Sequence, residues 1–169
     1  MTASAFLALA MACAPQVHAD TAWALVRVES DFNPWAIGVV GGALLRQPRH
    51  RAEALATAQA LQAGGWNFSV GLGQINVGNF GRLGLTLASA FEPCANLAAM
   101  QTVLADCFDR SRARPGSPPV DQAALRQALS CYYSGNFETG FRQGYVRKVV
   151  AAAGTAARSI PNIPTKEKV

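Results

Sequence analysis

Glycine and proline punctuate this chain at intervals that favour helices. Asn33-Pro34, Gly64-Gly65, Gly84, Pro93 and the run from Pro115 to Pro119 act as breaks. Between them apolar side chains recur every three or four residues, the period of one helix face. Asp20 can cap a helix over 21–30. Residues 48–63 carry Leu55, Ala58 and Leu61 as a spine, and 96–108 carry Leu97, Met100, Val103, Leu104 and Cys107. Residues 121–133 place Ala124, Leu125, Ala128, Leu129 and Tyr132 on one side, and 141–157 read as one last helix. Shorter helical turns fit 77–83 and 86–90. The run Asn67-Phe68-Ser69-Val70 suits a strand, whereas 36–42 and the basic, proline-rich stretch 110–119 read as loops. The expected fold is mainly α, a single domain with at most a short β element around residues 67–76.

A chain of 169 residues, half of them hydrophobic and 15% charged, is long enough for one real core. The formal charge of +5 and the pI of about 9.4 suit a polyanionic surface, and equally a solvated basic face. No run of five like charges and no zinc-finger spacing occurs, which argues against nucleic acid as the main ligand. Cys13, Cys94, Cys107 and Cys131 form no C-x-x-C pair, and His18 and His50 stand apart from them. Neither a metal site nor a cofactor is expected. Four cysteines fit two disulfides in an exported chain, or four thiols in a cytosolic one. No apolar stretch reaches the roughly 18–20 residues of a membrane span.

Residues 1–12 are apolar, and Ala10-Met11-Ala12 before Cys13 has the small residues of a cleavage site without a basic start. The segment reads as a signal peptide or its remnant, or as a helix that packs on the domain. The domain proper is expected over 13–157, with a flexible tail over 158–169.

Three short motifs carry chemistry. Ala22, Leu25, Val26 and Glu29 share one helix stripe, so Glu29 belongs to the apolar face. Desolvation raises a carboxyl pKa and makes a general acid, although a glutamate can border a core by chance. Gly71-Leu72-Gly73-Gln74-Ile75-Asn76 offers two glycines that admit a ligand close to the backbone, with amide side chains suited to sugar hydroxyls and N-acetyl groups. Alone it is an ordinary glycine turn. Tyr132-Tyr133-Ser134-Gly135-Asn136 places tyrosine at a helix end before a capping glycine, a pattern that also serves plain cores. Their order and spacing together are specific.

The set resembles the soluble lytic transglycosylases, which share the lysozyme-like (goose-type) fold. Glu29-Ser30-Asp31-Phe32-Asn33-Pro34-Trp35-Ala36 matches their E-S-x-F-N-P-x-A motif, and Gly71 to Asn76 matches G-L-x-Q-[IL]-[NM]. Phe91-Glu92-Pro93-Cys94-Ala95-Asn96-Leu97 matches F-D-P-x-x-N-[IL] with one change, and Cys131-Tyr132-Tyr133-Ser134-Gly135 matches A-Y-N-x-G in part. Cys13-Ala14-Pro15, Cys94, the compact single domain and the Ser130-Cys131-Tyr132 turn are similar to the branch that serves type IV secretion and conjugation. Departures are Asp31 and Met100, where glycine is common, and Tyr133, where asparagine is usual.

The resemblance implies one catalytic carboxylate, Glu29. It would cleave the β-1,4 bond between N-acetylmuramic acid and N-acetylglucosamine and leave a 1,6-anhydromuramyl end. Ser30, Gln74, Asn76, Tyr132 and Asn136 would position Glu29 and the glycan. Asp31, Glu53 and Glu92 are poor candidates for a second carboxylate. The implied setting is the periplasm, the partners are peptidoglycan strands and type IV secretion channel proteins, and the chain would act as a monomer. Rival readings are a lysozyme-type muramidase, a non-catalytic glycan-binding assembly factor and a cytosolic helical adaptor.

Cys94 and Cys107 flank one helix whose ends lie about 18 Å apart at 1.5 Å per residue, so they cannot bridge each other. If that helix runs antiparallel to 121–133, Cys94 would meet Cys131, leaving Cys13 for Cys107.

Overall fold

The computed structural model describes residues 1–116 and 121–159. The tail expected to be flexible falls outside the described residues from position 160 on, as do positions 117–120 of the expected loop. The described chain is mainly helical with one small antiparallel sheet. Among the described residues, no helix is long and apolar enough to cross a membrane.

Helix α1, Ala3–Cys13, begins where the Thr2 hydroxyl accepts from the Ala5 amide. It buries Phe6 and Ala10. Helix α2, Ala19–Ser30, starts two residues earlier than expected, because the His18 imidazole accepts from the Asp20 amide and takes the capping role. The Phe6 ring packs edge-on against Trp23 and Phe32, with centroids 5.8 and 5.1 Å away, so α1 is joined to both ends of α2. Trp23 and Phe32 lie 4.4 Å apart. These contacts hold Phe32 in the left-handed region at φ 61°, next to Asp31 at 48°. Two such residues in succession end α2 before Pro34 is reached. At Asp31 the left-handed backbone explains why glycine suits that position.

The sheet has the order β1-β2-β3, with β1 Ile37–Val39, β2 Phe68–Val70 and β3 Ile75–Asn76. Strand β1 falls within the segment read from sequence as a loop. Its extension comes from pairing with β2, in the register Ile37 with Val70 and Val39 with Phe68, which local propensity does not show. The outer edge of β1 is covered by the Gln47 side chain, which both accepts from the Ile37 amide and donates to its carbonyl. Helix α3, Arg51–Ala63, lies between β1 and β2 in the chain.

After β3 come a 3-10 turn over Val77–Asn79 and the short helices α4, Phe80–Leu83, and α5, Leu87–Ala90. Helix α6 then runs from Pro93 to Ala113 and packs against α7, Asp121–Ser134. The expected loop over 110–119 therefore begins later. Nothing breaks the helix until Arg114, which is extended (ψ 142°), as the residue before a proline must be. The last helix divides into α8, Thr139–Arg142, and α9, Tyr145–Ser159, at a left-handed Gly144. Helix α9 packs along α2.

Both disulfides form, but the expected pairing is replaced. Cys13 joins Cys94 (Cα–Cα 5.2 Å) and Cys107 joins Cys131 (5.8 Å). The reason is length: α6 has 21 residues and α7 has 14. The extension to Ala113 moves the hairpin turn away from Cys94, which lies at the far end of α6, beyond the span of α7. Cys107 faces Cys131 instead, and α1 reaches Cys94.

Candidate active site

The two parts of the fold, helices and sheet, meet at a cleft of about 610 Å³. Glu29 enters it from the last turn of α2. Gly38, Asn67, Ser69, Gln74 and Asn76 line it from the sheet and glycine turn, and Tyr132 and Tyr133 from α7. Three sequence motifs far apart in the chain thus converge on one site.

Glu29 follows the buried stripe of Ala22, Leu25 and Val26 and is half-buried. Desolvation raises its pKa from 4.5 to about 7, against an opposing hydrogen bond from Tyr145. That tyrosine has no place in the sequence motifs. It is the first residue of α9, and the packing of α9 on α2 brings its hydroxyl onto Glu29 Oε1. Burial and the neighbouring carboxylate push the Tyr145 hydroxyl far above the usual tyrosine range, so it stays a donor. The signal that could have located it is the Gly-Tyr step at 144–145, which starts a helix inside a segment read as unbroken.

The Tyr132 hydroxyl donates to the Gly73 carbonyl at 2.5 Å. Its pKa is raised well above normal by desolvation and by Glu29. Tyr132 therefore ties α7 to the glycine turn and faces Glu29 as a neutral group. A methyl group added at Gly73 would lie 3.0 Å from the Tyr132 hydroxyl and from Met100 Cβ, so a side chain there would crowd both neighbours. At Gly71, φ is +81° and an added Cβ would sit 2.2 Å from Asn96 Nδ2.

Asn96 is the second group to which sequence reasoning gave no role. It is buried on α6, accepts from the Gly73 amide at 2.7 Å, and donates to Val70 O at 3.0 Å and Ala90 O at 2.8 Å. Its side chain thus fixes the turn from beneath. Gln74, at φ 49°, donates its amide to Ala36 O and Gly71 O and turns its Oε1 toward Gly38. Asn76 donates to Asn67 Oδ1 at 2.7 Å and to Ser69 Oγ at 3.3 Å, forming a polar strip along the wall.

Ser30 and Asn136 are not among the cleft-lining residues. The Ser30 hydroxyl donates back to Val26 O within α2. The Asn136 side chain accepts from the Glu138 and Thr139 amides at the start of α8. Both shape the backbone that carries their neighbours.

Among the described residues, Glu29 is the only carboxylate that lines the cleft. Asp31 pairs with Arg27, and Glu92 with Arg51. Glu53 is bound by Arg46 and the Arg49 amide, which lower its pKa to about 2. The described residues contain no group of three or more His, Cys, Asp or Glu that could hold a metal ion.

Comparison with known proteins gives the same picture. The transglycosylase SLT domain model matches residues 6–152. The type IV secretion system protein virB1 of Brucella suis is 49% identical over a 168-residue alignment that covers 96% of this chain and 70% of that protein. The corresponding protein of Brucella abortus gives the same figures. Protein virB1 of Rhizobium radiobacter is 38% identical over 156 residues, covering 90% of this chain and 62% of its own length. No solved structure gives a significant match. The chain therefore belongs to the SLT transglycosylase family, as a close homologue of the VirB1 proteins of type IV secretion systems.

Proposed function

We propose that this domain is a peptidoglycan lytic transglycosylase that opens the cell wall locally for a type IV secretion or conjugation apparatus. The observation that carries this reading is a single desolvated carboxyl, Glu29, in a polar cleft without a second carboxylate among the described residues. Hydrolysis by either usual route employs two carboxyl groups, about 5–9.5 Å apart. One carboxyl suffices when the substrate supplies its own nucleophile.

Tyr145 holds Oε1 of Glu29, which leaves Oε2 as the oxygen that meets the glycan. A pKa of about 7 leaves about half of the carboxyls protonated near neutral pH, and the protonated form starts the cycle. It gives that proton to the oxygen of the β-1,4 bond as the bond to the muramyl anomeric carbon breaks. The substrate's N-acetyl oxygen covers the developing positive charge. Glu29, now a carboxylate, takes the proton from the muramyl 6-hydroxyl, whose oxygen closes on the anomeric carbon. The result is a 1,6-anhydro ring, and Glu29 is protonated again. The amide strip of Asn67 and Asn76 and the Gln74 carbonyl offer hydrogen bonds to sugar hydroxyls and N-acetyl groups.

The two disulfides support action in an oxidising compartment, which for this chemistry is the periplasm. The role at a secretion channel rests on the likeness to the VirB1 proteins. The test is mass spectrometry of muropeptides released from purified peptidoglycan by wild type and by Glu29→Gln. Anhydromuramyl products from wild type alone are expected. Reducing ends would move the assignment to a muramidase. No release by either folded protein, with normal glycan binding, would favour a non-catalytic assembly factor.

A further inference from the structure

Tyr133 lines the same cleft as the proposed acid. Its ring stacks on that of Tyr145, with centroids 4.4 Å apart and planes 18° from parallel. Its hydroxyl donates to Gln143 Oε1 at 2.7 Å. Gln143 lies two residues before Tyr145 in the turn between α8 and α9, and its own amide donates to Thr139 O. The three groups form a closed brace: Gln143 fixes the far end of Tyr133, Tyr133 fixes the face of Tyr145, and the chain joins Tyr145 back to Gln143. Tyr133 is 44% exposed and lines the cleft, so core burial does not account for a tyrosine there.

A hydrogen bond from a tyrosine hydroxyl to a carboxylate oxygen depends on the plane and tilt of the ring that carries it. Tyr145 sits at the first residue of its helix, just after a left-handed glycine, with its ring buried. A flat partner across one ring face fixes the plane of that ring. We propose that Tyr133, anchored by Gln143, is a positioning residue for Glu29 and acts through the Tyr145 hydroxyl. The inference rests on the reading of Glu29 as the acid. The other titratable group that faces Glu29 is Tyr132 from α7, which is held by Gly73 and takes no part in the brace.

The test is a double-mutant cycle on the full chain, with Tyr133→Leu, Tyr145→Phe and both together. Leucine keeps water off Tyr145 and removes both the flat partner and its bond to Gln143. The first readout is the titration midpoint of Glu29 by carbon NMR of glutamate-labelled protein, which needs no activity. Loss of the tyrosine hydrogen bond raises that midpoint. Tyr133→Leu is expected to raise it in the wild-type background and to leave it unmoved in the Tyr145→Phe background. The second readout is kcat for glycan cleavage, expected to fall about two- to tenfold with Tyr133→Leu, the rate equivalent of one aromatic pair. The double variant should fall no further than Tyr145→Phe alone. Tyr133→Phe, which keeps the stack but loses the bond to Gln143, should fall between wild type and Tyr133→Leu, as Gln143→Leu should. Gln143→Leu, which keeps both rings, should shift the midpoint in the same direction and serves if Tyr133→Leu does not fold. An unchanged Glu29 midpoint in Tyr133→Leu and Gln143→Leu, or rate losses that multiply, would overturn the proposal. Failure of the catalytic reading itself would look different, because wild type would release no glycan while the NMR shifts still coupled.

Discussion

The hydroxyl of Tyr145 donates to Oε1 of Glu29 across 116 positions of sequence, so the last helix of the domain completes the site that the second helix begins. The contact sets the polarity of the carboxyl. One oxygen is held by protein, and the other faces the cleft. It also opposes the desolvation that raises the Glu29 pKa, leaving it at about 7. Activity and stability should both carry the mark of that value.

On the proposed mechanism, the acid must hold its proton when the glycan binds. kcat/KM is expected to be level on the acid side and to fall about tenfold per pH unit above about pH 7. A profile level from about pH 5 to about pH 9 would exclude Glu29 as the proton donor. For stability, the folded state raises the pKa, so it favours the protonated form. The contribution is complete below the unfolded value of 4.5 and is lost as pH climbs through about 7. Glu29→Gln should melt with wild type near pH 5 and above it near pH 8, by on the order of 1–3 kcal/mol.

Tyr145→Phe keeps the ring and its stack and removes one hydrogen bond to a charged group. Such bonds are worth about 1.5–3 kcal/mol, so kcat should fall by roughly 10- to 150-fold. Because the lost bond had lowered the Glu29 pKa, the alkaline limb of the profile should move to higher pH. A rate loss without that movement would place Tyr145 on the substrate instead.

The parts of this site that were legible in the sequence are those in which one short segment carries both chemistry and geometry. Glu29 could be placed on its stripe because helix period and apolar spacing are local. Gln74 and Tyr132 stood beside glycines whose need was plain. Tyr145 was hidden because its role depends on a break at Gly144 inside a helical pattern and on packing against a helix more than a hundred residues earlier. Strand β1 was hidden for a similar reason, since its extension is imposed by Phe68–Val70 and Gln47. Asn96 belonged to a recognised stretch, yet a buried amide that binds three backbone groups gives no sequence sign of where those groups lie.

Asn96 has a large expected effect for its size. Asn96→Ala leaves the Gly73 amide and the Val70 and Ala90 carbonyls without their partner. Unsatisfied buried polar groups cost about 1–3 kcal/mol each, offset where water enters, and a loss of about 3 kcal/mol in urea unfolding is expected. The glycine turn should loosen with it. Amide exchange at Gly73 should therefore accelerate more than exchange in α9, a contrast that uniform destabilisation would not produce.

The two disulfides should separate stability from activity. Cys13–Cys94 closes a sequence separation of 81 and Cys107–Cys131 one of 24. On the chain-entropy account their removal costs about 4.5 and about 3.5 kcal/mol respectively. Cys13–Cys94 ties α1 to the start of α6, away from the cleft walls. Cys107–Cys131 ends one residue before Tyr132, whose hydroxyl holds Gly73. The Cys13→Ser/Cys94→Ser variant should thus lose more stability yet keep kcat well below its melting temperature. The Cys107→Ser/Cys131→Ser variant should lose less stability and show a lower kcat at the same temperature. Non-reducing peptide maps of wild type establish the pairing first, and melting curves with glycan-release rates for the two variants then read the contrast. Equal losses of kcat in both would mean that the bridge beside Tyr132 does not help to hold the cleft.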